Sequence, residues 1–67
     1  LPASSKRVSI QIEPKAEDAY QSLIDKLTMC DGVMEATLVE DENRVYLKVD
    51  KKHYDKVAVD RLITEFN

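Results

Sequence analysis

Val8, Ile10 and Ile12 alternate with Ser9, Gln11 and Glu13, and a period of two marks a strand with one buried face. The same alternation returns over 34–39 and again over 45–50. Between the first and second alternations, Ala16, Tyr20, Leu23, Ile24 and Leu27 recur at spacings of three and four. That spacing predicts an amphipathic helix over 15–29. Glu17 and Asp18 fall in its first turn, where the helix dipole favours negative charge. Val59, Leu62, Ile63 and Phe66 predict a second helix from about residue 56 to the end of the chain, with Asp55 as its N-cap.

The breaks between these periods carry turn chemistry. Pro14 ends the first strand and suits the approach to a first helical turn. Gly32, the one glycine in the chain, follows the last periodic residue of the first helix and predicts its stop. Glu40, Asp41, Glu42 and Asn43 form a polar turn between the second and third strands, which predicts a hairpin. In the second strand Met34, Ala36 and Leu38 are expected on one face and Glu35, Thr37 and Val39 on the other. In the third, Val45, Leu47 and Val49 face one way, and Tyr46, Lys48 and Asp50 the other.

Together the pattern is βαββα, an α+β two-layer sandwich of the ferredoxin-like kind that stops where a fourth strand is expected. Right-handed crossovers place the third strand between the first and second. The first strand, over 8–13, is then an open edge, unless a fourth strand beyond this piece, an early part of the chain or a partner covers it. Residues 1–7 read as a linker or frayed terminus, and 8–67 as one domain. Because the chain starts with Leu1 rather than Met, it is expected to be a piece of a longer protein.

Composition narrows the function. A chain this short buries only about 60% of its unfolded surface, so its stability is expected to be marginal. No apolar run reaches the length of a membrane span, and any membrane contact is expected to come from the parent protein. The net charge is −3, which argues against nucleic acid, where clustered Lys and Arg are selected. Tyr46 is the one aromatic expected on the outer sheet face, too few for a base-stacking platform. The lone Cys30 cannot form an internal disulfide, and this points to the cytoplasmic side of the cell.

Catalysis finds no constellation. Glu40, Asp41 and Glu42 share one solvated turn, whereas acid–base pairs need environments that push their pKa values apart. No serine sits on a nucleophile elbow, and no glycine-rich loop is present to hold phosphate. The chain therefore reads as a non-enzyme with no cofactor. Metal-ligand chemistry centres on Cys30, His53 and Asp50. The last two lie three residues apart around a loop, and zinc is the metal such a set would take. For association, the open edge and outer face nominate Ser9, Gln11, Val39 and Tyr46. Their partner would be another protein or a second copy of the chain.

Two families share parts of this layout. Asp31-Gly32-Val33-Met34-Glu35-Ala36, strand 45–50 and Val57-Ala58-Val59-Asp60-Arg61-Leu62-Ile63 resemble the corresponding junction, third strand and second helix of heavy-metal-associated domains. That resemblance implies a ferredoxin-like fold and metal homeostasis. Its metal loop, a Cys-x-x-Cys after the first strand, is replaced here by Glu13-Pro14-Lys15-Ala16-Glu17-Asp18. A strand ending in proline before the first helix, followed by Gly32-Val33 and the strand pair, is similar to the cytoplasmic C-terminal domain of cation diffusion facilitator transporters. This second resemblance implies a dimerising, regulatory role in zinc transport. The His-Trp of that family's second strand is Thr37-Leu38 here. The expectation is a non-catalytic regulatory module of a metal-cation transporter. The alternatives are a degenerate heavy-metal-associated domain with weak metal binding and, from a different class, a small acylphosphatase-like hydrolase. The hydrolase would need a phosphate-cradling loop and an Arg after the first strand, and both are absent.

Overall fold

The computed structural model describes residues 4–67. Strand β1 (Ser5–Gln11) is followed by helix α1 (Glu17–Thr28), strand β2 (Val33–Val39), a short 3-10 turn (Glu40–Glu42), strand β3 (Arg44–Asp50) and helix α2 (Lys56–Phe66). The three strands form one antiparallel sheet in the order β1-β3-β2. This is the ferredoxin-like βαββα arrangement, with the third strand central as the crossover rule requires. β1 starts at Ser5, paired with Asp50, so part of the lead expected over 1–7 is strand. The first three residues of that lead lie outside the described residues.

The core lies between the sheet and the helices. Val45, Leu47 and Val49 of β3 are buried, and so are Tyr20, Leu23 and Leu27 of α1, Val59 and Ile63 of α2, and Ile12. Burial of each such side chain stabilises by roughly 1.5–3 kcal/mol. The central strand supplies the floor because it is flanked on both sides. Its neighbours in β1 and β2 are only half-buried. Tyr20 also stacks on Phe66, with ring centroids 5.9 Å apart, and its hydroxyl accepts from the Lys15 N–H at 2.8 Å.

Two expected side-chain positions change. Met34 faces outward and is 51% exposed, because the β2–β3 register shifts between Val33 and Glu35. One extra residue in β2 makes a β-bulge, and a bulge breaks the period of two. Val33, Ala36 and Leu38 are therefore the residues of β2 that pack toward the helices. Ala16 is exposed. It occupies the N-cap position in extended conformation without a side-chain cap, so α1 begins two residues later than its periodicity suggests. Pro14 lies in the connecting segment rather than in the helix.

Gly32 ends the α1 connection with φ +79°. A Cβ built on it would lie 2.5 Å from both Tyr54 N and Tyr54 Cα. The α1–β2 junction thus crosses the β3–α2 loop backbone to backbone. Two hydrogen bonds secure the crossing: Asp50 N–H donates to Gly32 O at 2.7 Å, and Asp55 N–H to Asp31 O at 3.1 Å. Asp55 then caps α2, its carboxylate accepting from Ala58 N–H at 3.0 Å.

Gly32→Ala is expected to destabilise the domain by more than about 2 kcal/mol, since positive φ and backbone overlap act together. Urea denaturation would show this as a lower midpoint or a chain that fails to fold. Asp55→Ala removes one cap and is expected to cost about 1 kcal/mol with the fold retained. An unchanged midpoint would show that the cap hydrogen bond contributes nothing.

Candidate functional site

At the end of the molecule where Gly32 meets Tyr54, the β3–α2 loop brings together two of the metal-ligand candidates, Asp50 and His53. His53 Nδ1 lies 2.9 Å from Asp50 Oδ2, and Lys52 N–H donates to Asp50 Oδ1 at 2.9 Å. The hydrogen bond with His53, followed by that from Lys52, holds the Asp50 carboxyl below its usual range. Both side chains are on the surface, and so solvent screens the pair. Cys30 does not join them. Its thiol, half-buried, donates to Lys26 O at 3.5 Å. Burial, and then the nearby carboxylates of Asp55 and Asp31, push that thiol above its ordinary range. A thiolate ligand or nucleophile needs the opposite environment. Among the described residues, no group of three or more His, Cys, Asp and Glu side chains is placed to hold a metal ion.

The outer face of the sheet holds the association candidates. Cross-strand register lines up Ser9, Tyr46 and Thr37 in one row, and Gln11, Arg44 and Val39 in the next. Arg44 donates to Ser9 Oγ at 2.9 Å. Tyr46 donates its hydroxyl to Glu42, and that bond raises the phenol's pKa. The register thus places Ser9, Gln11, Val39 and Tyr46 on one face, though Ser9 and Tyr46 already have partners in this arrangement.

The open edge of β1 is more specific. Lys51 N–H donates to Ser4 O, and Ile12 N–H to Asn43 O. Backbone groups alternate sides along a strand. Residues 4, 6, 8, 10 and 12 therefore face β3, and Ser5, Arg7, Ser9 and Gln11 present their backbone N–H and C=O to the open side. The edge ends at Glu13, whose N–H donates to Asn67 Oδ1 at 3.0 Å. On the helix side of this edge, Val8 and Ile10 pack against the core while remaining half-buried. An open edge here was one of the outcomes the sequence pattern allowed. That pattern could not show which backbone groups are free, or that Asn67 closes one end.

Residues 8–65 match the family model of the YajR YAM domain. The chain belongs to that family. The assignment corrects the expectation of a cation diffusion facilitator C-terminal domain, which rested on the shared strand-proline-helix layout and Gly32-Val33. Those features serve the fold: Pro14 breaks a strand, and Gly32 permits a backbone crossing. Neither distinguishes one βαββα family from another. No curated protein matches the chain. Among solved structures, this YAM-family chain is similar to a copper–CopA variant from Bacillus subtilis, determined in solution. The TM-score is 0.77 at 15% identity, over 98% of this chain and 88% of that one. At that identity the likeness shows the fold, and it is the fold of the heavy-metal-associated resemblance. The connection after β1 in this chain holds Glu13 and Lys15 but no sulfur or imidazole, so its residues do not fit copper.

The shielded thiol gives a direct test. Iodoacetamide should alkylate Cys30 at pH 8 more slowly than it does free cysteine, with a rate that keeps rising past pH 9. Asp31→Asn should speed the reaction by removing one of the carboxylates that raise the pKa. Alkylation as fast as free cysteine would contradict the carboxylate-shielded environment.

Proposed function

We propose that this domain is a non-catalytic docking module on a heavy-metal-associated scaffold, acting on a larger protein by strand pairing rather than by carrying metal. The observation that carries this reading is the free backbone row of Ser5, Arg7, Ser9 and Gln11, above half-buried Val8 and Ile10. An added strand would satisfy the hydrogen-bonding groups and cover the apolar side chains at the same time. The free Cys30 supports a place on the cytoplasmic side, tethered to a membrane if the parent carries the spans.

The edge can be read by hydrogen exchange. In the isolated domain the amides of Arg7, Ser9 and Gln11 should exchange at least about tenfold faster than those of Val8 and Ile10, which face β3. In the parent protein they should become protected. Exchange equally fast in both would sink the docking proposal.

A second reading, weak metal binding, is favoured by the 2.9 Å contact between Asp50 and His53 and by the copper form of the structural neighbour. Titration with zinc and with copper(I), followed by NMR, separates the two. The docking reading expects no saturable shift at Cys30, Asp50 or His53. A stoichiometric shift at all three would replace it with a metal-binding domain.

A further inference from the structure

The sheet has a second open edge, and a groove lies along it. β3 uses residues 44, 46, 48 and 50 toward β2, as Asp50 N–H on Gly32 O shows. Val39, Thr37 and Glu35 are the β2 partners of residues 44, 46 and 48. By alternation, Ala36 and Leu38 turn their backbone N–H and C=O groups outward. Ala36 and Leu38 also form the strand wall of a 360 Å³ groove against α1. Tyr20 and Ile24 line its helix side, and Glu17 and Glu40 stand in its wall. No Lys or Arg lines it. Asp18 and Asp41, next in sequence to Glu17 and Glu40, add negative charge near one end. At the other end the bulge at Met34 interrupts the strand, which limits any pairing to a few residues.

The geometry points to this groove as a docking site for an extended, basic-ended peptide segment of another protein, added antiparallel to β2. Its alternate residues would be apolar, and its N-terminal residue would be a lysine or arginine. Two residues opposite Leu38 and Ala36 would exchange backbone hydrogen bonds and send apolar side chains over Ile24. The cationic residue would lie opposite Glu40, within the field of Glu17. Affinity would come from strand pairing, and selectivity from the carboxylates. The site is independent of the β1 edge, which lies on the far side of β3, so failure at one surface leaves the other unaffected.

A suitable probe is acetyl-Lys-Thr-Val-Thr-Val-Thr-amide, with a counterpart carrying Glu in place of Lys. NMR titration to about 1 mM, the range of weak peptide contacts, should shift the Ala36 and Leu38 amides and the Ile24 methyls with the lysine peptide. The glutamate peptide should bind at least tenfold more weakly. Glu17→Lys with Glu40→Lys, both at exposed positions, should reverse that preference. Ala36→Pro removes only an outward N–H, a change that edge strands tolerate, and should abolish the shifts while the fold persists. If that variant does not fold, a peptide N-methylated at its second valine, the one opposite Ala36, loses the reciprocal hydrogen bond of the same residue pair and should not bind. Three results would overturn the proposal: no shifts at Ala36, Leu38 and Ile24; equal binding of the two peptides; or binding that survives both Ala36→Pro and N-methylation.

Discussion

The backbone crossing at Gly32 is the constraint on which the rest of this domain depends. A 67-residue chain has little core to spare, and its two helix connections must pack at one end without wasting volume. Gly32 allows this because its missing Cβ leaves room for the His53–Tyr54 backbone to touch it. Its φ of +79° turns the chain out of α1 and into β2. Asp50, Gly32, Asp31 and Asp55 then exchange backbone hydrogen bonds across the contact. Those bonds set where β3 ends and where α2 begins, and they bring Asp55 to its capping position. The register of β2 against β3, including the bulge that expels Met34, lies directly next to this crossing.

The crossing also separates the two ends of the molecule. At the Gly32 end, His53, Asp50 and Cys30 are near in sequence or in space, yet their side chains serve local structure. Asp50 satisfies a turn N–H, and Cys30 leans on the last turn of α1. The opposite end, around the β1–α1 connection and the acidic turn, is where the heavy-metal-associated pattern would place its cysteines. In this chain that end is built from Pro14, from the Lys15–Tyr20 hydrogen bond and from the contact of Glu13 with Asn67. The scaffold is kept while the sulfur chemistry is absent. Two strand edges carry outward backbone hydrogen-bonding groups, with half-buried apolar side chains beneath each.

Much of this was legible in the order of residues. Alternation in 8–12 and 45–50 comes directly from strands with one buried face, and spacings of three and four in α1 and α2 from helices lying on that face. Asp55 as a cap and Gly32 as a left-handed residue follow from local backbone chemistry, so both could be named in advance, although α1 is capped at Met29 and Gly32 lies in the turn beyond it. Strand order followed from crossover handedness. The face of Met34 could not be read, because a bulge adds one residue to a strand without leaving a turn residue to mark it. Ala16 appeared helical because an alanine fits either side of a helix boundary. The free Cys30 and the Asp50–His53 spacing suggested a metal set, since spacing alone cannot report that a thiol points toward a helix carbonyl.

The sequence by itself thus determined the elements, their order and the lack of cysteine and histidine in the loop after β1. Those depend on local periodicity and on residue types that chemistry requires. Tertiary structure alone decided which backbone groups remain unpaired, that Asn67 closes one end of the β1 edge, and that Glu17 and Glu40 share a groove with Ala36 and Leu38. Each of these joins segments far apart in the chain through sheet register and helix packing. No pattern within a single segment contains that information.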